Sequence, residues 1–294
     1  MSPSAVWSIR GRHIALERPV VMGIINVTPD SFSDGGAFLA PGAALARAAQ
    51  LIEEGADILD VGGESTRPHG AMPVPVTEER RRVLPVIDAI VRRFPDVVLS
   101  VDTTKAEVAA AALDAGAHIV NDVSGMRLDP AMAGVCAARR AGAILMHSRG
   151  HVGDMATYDH ADYAGDVLDA IERELLAQVA VALAAGLARE RIVLDPGIGF
   201  AKRAEHSLRA LAGVGRLAHL GFPIAVGASR KRFIGALTGV ADAPARVFGS
   251  LGAAVSAYQR GASIFRVHDV AATRQALDVA AAIGRAAVRE VCPA

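Results

Sequence analysis

Asn26, Asp60, Asp102, Asn121, Asp195 and Arg266 share one sequence setting: each interrupts, closes or directly follows a short apolar run. Of these, Asp102, Asn121 and Asp195 have side chains that can read the edge of a flat heterocycle. A carboxylate accepts two N–H bonds from an amino-pyrimidine, an amide both donates and accepts, and a lysine such as Lys231 donates to a ring carbonyl. A second set suits an oxyanion. Arg67, Arg266 and His268 stand near glycine-rich backbone, and arginine offers a planar fork to phosphate oxygens. Phe32 and Phe200 supply apolar cover. No Ser–His–Asp or Cys–His order is evident, so covalent catalysis is not expected. The chain has no HExxH, CxxC or P-loop signature, and its remaining histidines show no pairing that suggests a metal cage. A lone Mg²⁺ held by few protein groups and by substrate phosphates stays open.

Each of these residues also has an ordinary structural reading. Asp102 and Asp129 precede helical patterns, where aspartate commonly caps the N-terminus. Asp195-Pro196-Gly197 reads as a turn. His268 with Asp269 reads as a surface pair, His147 as a packed histidine, and Arg230-Lys231-Arg232 as a solvated cluster unless an anion sits beside it. What lifts them above those readings is their common placement.

That placement follows from a rhythm. Apolar strands are expected at 20–25, 58–61, 97–101, 118–120, 143–146, 192–194, 224–226 and 263–267. Helical patterns alternate with them at 43–54, 77–93, 105–115, 130–140, 163–185, 204–219, 245–260 and 271–289. The strands are continuously apolar, as when both sheet faces are covered. Gly55, Gly116 and Gly261 read as helix stops leading straight into the next strand. Eight such units with right-handed crossovers give an α/β fold, a (β/α)₈ TIM barrel, with a doubly wound open sheet as runner-up. Residues 6–16 suggest a short hairpin ahead of it. No linker marks a second domain, so residues 1–294 are expected to form one. Active sites of such barrels lie at the C-terminal strand ends, where every unit here delivers a polar cluster. The stretch 20–36 divides into a first strand ending at Asn26 and a long polar loop, expected to act as a lid.

Composition sets outer bounds. Of 294 residues, 52% are hydrophobic and 21% charged, which supports a large core and disfavours disorder. Lys+Arg and Asp+Glu are equal at 31 each, so no global field favours nucleic acid or an anionic membrane, and an anionic substrate must be held locally. The N-terminus lacks a signal-like apolar stretch, and no long uncharged apolar run suggests a membrane span. Cys136 and Cys292 read as free thiols of a reducing, cytoplasmic protein.

The segments GIINVTPDSFSDGG, DVGGESTRPHG, SVDTTK, IVNDVSG, LMHSRG, LDPGIGFAK, GASRKRFIG and RVHDV closely resemble, in order, those of the dihydropteroate synthase family, from about Val20 to about Ala281. The resemblance implies condensation of 6-hydroxymethyl-7,8-dihydropterin pyrophosphate with para-aminobenzoate, giving 7,8-dihydropteroate and pyrophosphate in folate biosynthesis. It implies Mg²⁺ and a homodimer. Carried over by motif, Asn26 looks like the protein ligand of the metal, and Thr66 and Arg67 like substrate contacts of the second loop. Asp102, Asn121, Asp195 and Lys231 look like the pterin pocket. Arg266 and His268, with the intervening Val267 backbone, look like the pyrophosphate grip. Phe32, Pro68, Phe200 and Lys231 look like walls of the aminobenzoate site, which sulfonamides mimic. Asp102, Asp195, Lys231 and Arg67 are thereby expected to carry catalysis. The family chemistry is C–O cleavage to a stabilised pterin cation, then attack by the aniline nitrogen, with no protein nucleophile.

Two positions depart from the common pattern. Ser148 stands where many members carry methionine or another large side chain, so a slightly altered pocket wall is expected. Arg232 stands where many carry a serine that helps hold the aminobenzoate carboxylate; its backbone N–H is the candidate substitute. Three rival readings compete with this one: a pterin-dependent methyltransferase working with a corrinoid partner, a non-catalytic pterin-binding paralogue, and a scaffolding barrel. The first-loop motif and RVHDV speak against the first, the full set of charged site residues against the second, and the eight polar strand ends against the third.

Overall fold

The computed structural model describes residues 6–27, 36–65 and 73–291. Strands β1 (Val6–Ile9) and β2 (Arg12–Ala15) pair antiparallel as the expected hairpin. Eight parallel strands follow: β3 (Val20–Asn26), β4 (Ile58–Gly62), β5 (Val98–Asp102), β6 (Ile119–Asp122), β7 (Gly142–Met146), β8 (Ile192–Asp195), β9 (Ala225–Val226) and β10 (Ile264–Val267). Neighbours run β8-β7-β6-β5-β4-β3-β10-β9, and a parallel bridge between Leu194 and Ile224 joins the two edges. The sheet is therefore the (β/α)₈ barrel that the rhythm suggested.

Around it lie α1 (Gly36–Glu53), α2 (Val76–Arg93), α3 (Ala106–Asp114), α4 (Met132–Ala138), α5 (Val167–Ala184), α6 (Ala204–Ala212), α7 (Val214–Ala218), α8 (Arg232–Thr238), α9 (Val247–Tyr258) and α10 (Val270–Val291). Gly55, Gly116 and Gly261 all take positive φ at the expected stops. Three differences from the sequence reading have local causes. The expected helix 204–219 is divided at Gly213, a weak helix former, into α6 and α7. Helix α5 starts only at Val167, where Asp166 accepts the Leu168 N–H as a cap, and the residues before it form turns. Helix α8 was not anticipated; its seven residues are too short for a periodic signal.

Strand alternation positions the site. Side chains pointing outward, such as Val21, Leu59, Val101, Val120, Leu145, Leu194, Val226 and Phe265, pack with the helices in the main core. Those pointing inward change character along the strand. At the N-terminal end Met22, Ile58, Ile119, Ile144, Val193, Ala225 and Ile264 form an apolar cluster. Two residues further on, the inward positions hold Asp60, Asn121, Met146, Asp195 and Arg266. The hairpin closes the apolar end. Trp7 and Ile9 are buried in that cluster, and the Trp7 indole donates to the Arg191 carbonyl at 2.9 Å. Gly142 makes room for them: a Cβ there would lie 2.6 Å from Ile9 and 3.0 Å from Trp7.

Candidate active site

The C-terminal ends of the strands open into a cavity of about 700 Å³. Of the residues singled out from sequence, Asn26, Asp102, Asn121, Asp195, Phe200, Lys231, Arg266 and His268 all line it. Val267 lies between two of them with its side chain in the outer core, so only its backbone is available to the cavity side. Phe32, Thr66, Arg67 and Pro68, and the loop read as a lid, lie outside the described residues.

The floor is a buried ionic network. Arg266 Nε donates to Asp60 Oδ2 and its Nη2 to Asp102 Oδ2, both at 2.6 Å. Asp60 is fully buried, and the same Oδ2 accepts the Asn121 amide N–H at 3.1 Å. That contact fixes the amide: its NH₂ faces Asp60, so its oxygen faces the cavity as an acceptor. Asp102 is not a helix cap, since Asp129 instead accepts the Ala106 and Ala131 N–H groups. Burial raises the Asp102 carboxyl despite the adjacent Arg266 guanidinium. Asp195 accepts the Gly197 N–H at 2.6 Å, and burial pushes it up to about 6. The cavity thus presents acceptors from Asp195, Asn121 and Asp102 around the Arg266 guanidinium.

Cations and donors form the opposite wall. Lys231 Nζ lies 4.0 Å from the centre of the Phe200 ring, and burial, with Arg266 nearby, lowers its ammonium to about 8. Ser229 Oγ accepts the His268 backbone N–H at 3.2 Å and sits 3.0 Å from His268 Nδ1. With the hydroxyl donating to Nδ1, the imidazole keeps its proton on Nε2, on the cavity side. Burial and the Arg266 charge lower His268 to about 3, so it serves as a neutral donor. Asp269 is not its partner; it takes Arg230 Nε at 3.0 Å and Nη2 at 2.5 Å. The side-chain amide of Asn26 lines the cavity and makes no hydrogen bond among the described residues. Among those residues no group of three His, Cys, Asp or Glu side chains is arranged for a metal.

The two departures resolve differently. The altered wall expected at Ser148 is corrected: the residue is buried, its hydroxyl donates to the Val123 carbonyl at 2.7 Å, and Met146 lines the cavity instead. Arg232 does reach the cavity. Its Nη2 donates to the Ala156 carbonyl at 2.6 Å and its guanidinium lies 4.5 Å over the Tyr158 ring. Sequence reasoning gave no role to Asp60, Ser229, Tyr158 or Lys202. For Asp60 a signal existed: it lies two residues beyond Ile58, on the inward face of β4.

The loop after β8 needs glycine at Gly197. Its φ is +66°, and a Cβ would fall 1.9 Å from the His147 carbonyl oxygen. The turn can thus press against the loop after β7 and bring Phe200 over the cavity.

The chain matches the pterin binding enzyme family over residues 22–268. A dihydropteroate synthase from Synechocystis sp. is 46% identical over 269 residues, spanning 92% of this chain and 91% of the relative. A structure of Xanthomonas albilineans dihydropteroate synthase with 4-aminobenzoic acid superposes with a TM-score of 0.88 at 46% identity, covering 97% of this chain and 99% of that one. The same organism's enzyme in complex with 7,8-dihydropteroate gives 0.83 at 41% identity, with 96% and 99% covered.

Proposed function

Because the chain belongs to the pterin-binding enzyme family and is similar to dihydropteroate synthases over nearly its full length, we propose that it is a dihydropteroate synthase, a transferase of folate biosynthesis. It joins 6-hydroxymethyl-7,8-dihydropterin pyrophosphate to para-aminobenzoate. The C–O bond to pyrophosphate breaks, a C–N bond to the aniline nitrogen forms, and that nitrogen loses one proton. The observation that carries the reading is the cavity floor: three acceptors, from Asp195, Asn121 and Asp102, converge around Arg266 at the barrel's C-terminal end. An amino-pyrimidine edge supplies the matching N–H donors, and Lys231 donates to the ring carbonyl.

On this reading Arg266 and the Nε2–H of His268 hold the departing pyrophosphate, together with the Val267 backbone. Asp195, buried, and Asp102, mostly so, favour positive charge on the pterin once the leaving group departs. Phe200 and Lys231 flank the aminobenzoate. Phe32, Thr66, Arg67 and Pro68 complete the set in the two loops, which exclude water from the cation. Asn26 fits a hard cation. Its unengaged amide offers one oxygen, so a Mg²⁺ would take its other ligands from pyrophosphate and water. When bound, the ion supplies positive charge to the leaving group. A homodimer in the cytoplasm completes the proposal. The test is an assay of dihydropteroate formation by purified protein with both substrates and Mg²⁺, with omission of each in turn. Product is expected only in the complete mixture and is expected to fall when a sulfonamide is added. Pterin binding without product would sink the catalytic reading.

A further inference from the structure

Lys202 lines the cavity yet is only 1% exposed. Its Nζ donates to His147 Nδ1 at 2.7 Å and to the Phe200 carbonyl at 3.1 Å, with the His147 carbonyl 3.4 Å away. All three acceptors are uncharged, and no carboxylate among the described residues forms an ion pair with it. A buried ammonium without a counter-ion is costly and persists only where it does a job. The turn it braces is strained. Gly197, Gly199 and Ala201 take φ of +66°, +78° and +46°, and Ala201 is not a glycine. The Ala201 N–H donates to the Met155 carbonyl at 2.7 Å, and its carbonyl accepts the Tyr163 hydroxyl at 3.0 Å. Lys202 reaches back across this turn to Phe200.

The other end of the brace is anchored on α5. His147 Nε2 lies 3.0 Å from Glu174 Oε2, and Arg149 donates to both Glu174 oxygens. Against burial, the His147 and Arg149 hydrogen bonds hold the Glu174 carboxyl below its ordinary range. The ionised Glu174 therefore accepts the Nε2 proton, which leaves Nδ1 to accept from Lys202. A chain Arg149–Glu174–His147–Lys202 ties α5 to the turn bearing Phe200.

We propose that Lys202 is a positioning residue for the second substrate, its ammonium pinning the 197–202 turn to His147 so that the Phe200 ring stays against Lys231 as a wall for aminobenzoate. The inference rests on the reading of Phe200 and Lys231 as that wall. The groups facing Lys202 are His147, Arg149 and Tyr163 from the loop after β7, Glu174 from α5, Asp195 from β8 and Lys231 ahead of α8. Burial, opposed by Asp195, lowers Lys202 to about 7. Below that pH it has three N–H donors; above it, one is lost and the brace loosens.

Steady-state kinetics with each substrate varied, from about pH 6 to about pH 8.5, tests this. In the wild type the aminobenzoate KM is expected to rise with pH more steeply than the pterin pyrophosphate KM. Lys202→Met is expected to raise the aminobenzoate KM about tenfold, leave the pterin pyrophosphate KM within about twofold, and remove the part of the rise centred near pH 7, leaving only a rise near pH 8 where Lys231 loses its proton. His147→Phe, which removes the Nδ1 acceptor and keeps both carbonyls, is expected to give a smaller aminobenzoate-specific rise; with the wild-type profile it decides the matter if Lys202→Met does not fold. An unchanged aminobenzoate KM, equal movement of both KM values, or a flat wild-type profile overturns the proposal. A wild type that makes no dihydropteroate overturns the functional reading instead.

Discussion

Asp60 shows how one side chain can set the chemistry of others it does not resemble. Its single oxygen Oδ2 takes Arg266 Nε and the Asn121 amide, so it pairs the arginine and turns the amide oxygen toward the cavity. Asp60→Asn removes the charge, and the new amide can donate to Asn121, which then flips its own NH₂ toward the ligand. Donor would face donor. The expected result is a loss of about tenfold to hundredfold in pterin affinity, in keeping with about 1.5–3 kcal/mol for hydrogen bonds to charged groups. Calorimetric titration of the folded variant with a pterin checks it, and unchanged affinity would sink the role. The residues of this network were visible in the sequence, but their pairing was not. Asp60 and Arg266 are 206 positions apart and meet only because β3 alone separates their strands around the barrel.

Elements were more legible than contacts. The eight strands and most helices followed from short apolar runs, glycine stops and helical patterns, because each βα unit repeats the same local physics. What escaped were features decided by tertiary packing: the division at Gly213, the seven-residue α8, and the turning of Ser148 into the Val123 carbonyl. The N-terminal hairpin was legible as an element, yet its work as a plug was not. Trp7 is completely buried against the inward residues of the strands, on the apolar side of the polar floor. Trp7→Ala is expected to remove about 3–5 kcal/mol of stability by leaving a large cavity. Urea denaturation measures that loss. Because the plug lies at the far end of the barrel, both KM values should stay within about twofold of wild type at a temperature where the variant is folded. A stable variant, or a folded one with an altered KM, would show that the hairpin acts otherwise.

At the scale of the molecule, equal numbers of acidic and basic residues leave no net charge to attract a pyrophosphate substrate. Attraction must come from local charge at one opening, where Lys231 and Arg232 have no carboxylate partner among the described residues, whereas Arg230 and Arg266 are already paired. The same even charge leaves little electrostatic barrier between copies of the chain. On the outer surface α9 and α10 pack side by side and carry large apolar residues in water: Phe248 is 82% exposed, and Val279 and Ile283, one turn apart, are 60% and 65% exposed. Isolated exposed apolar side chains are ordinary, but two in register on one helix form a stripe that association can cover. If the homodimer of the proposed function uses this stripe, sedimentation equilibrium should return twice the chain mass. Ile283→Glu, which puts a carboxylate into an apolar contact, should then shift the equilibrium to the monomer without lowering the melting temperature of the monomer itself. A wild-type monomer at micromolar concentration would refute the dimer. A dimer that survives Ile283→Glu would keep the assembly but move its interface off this face of α10.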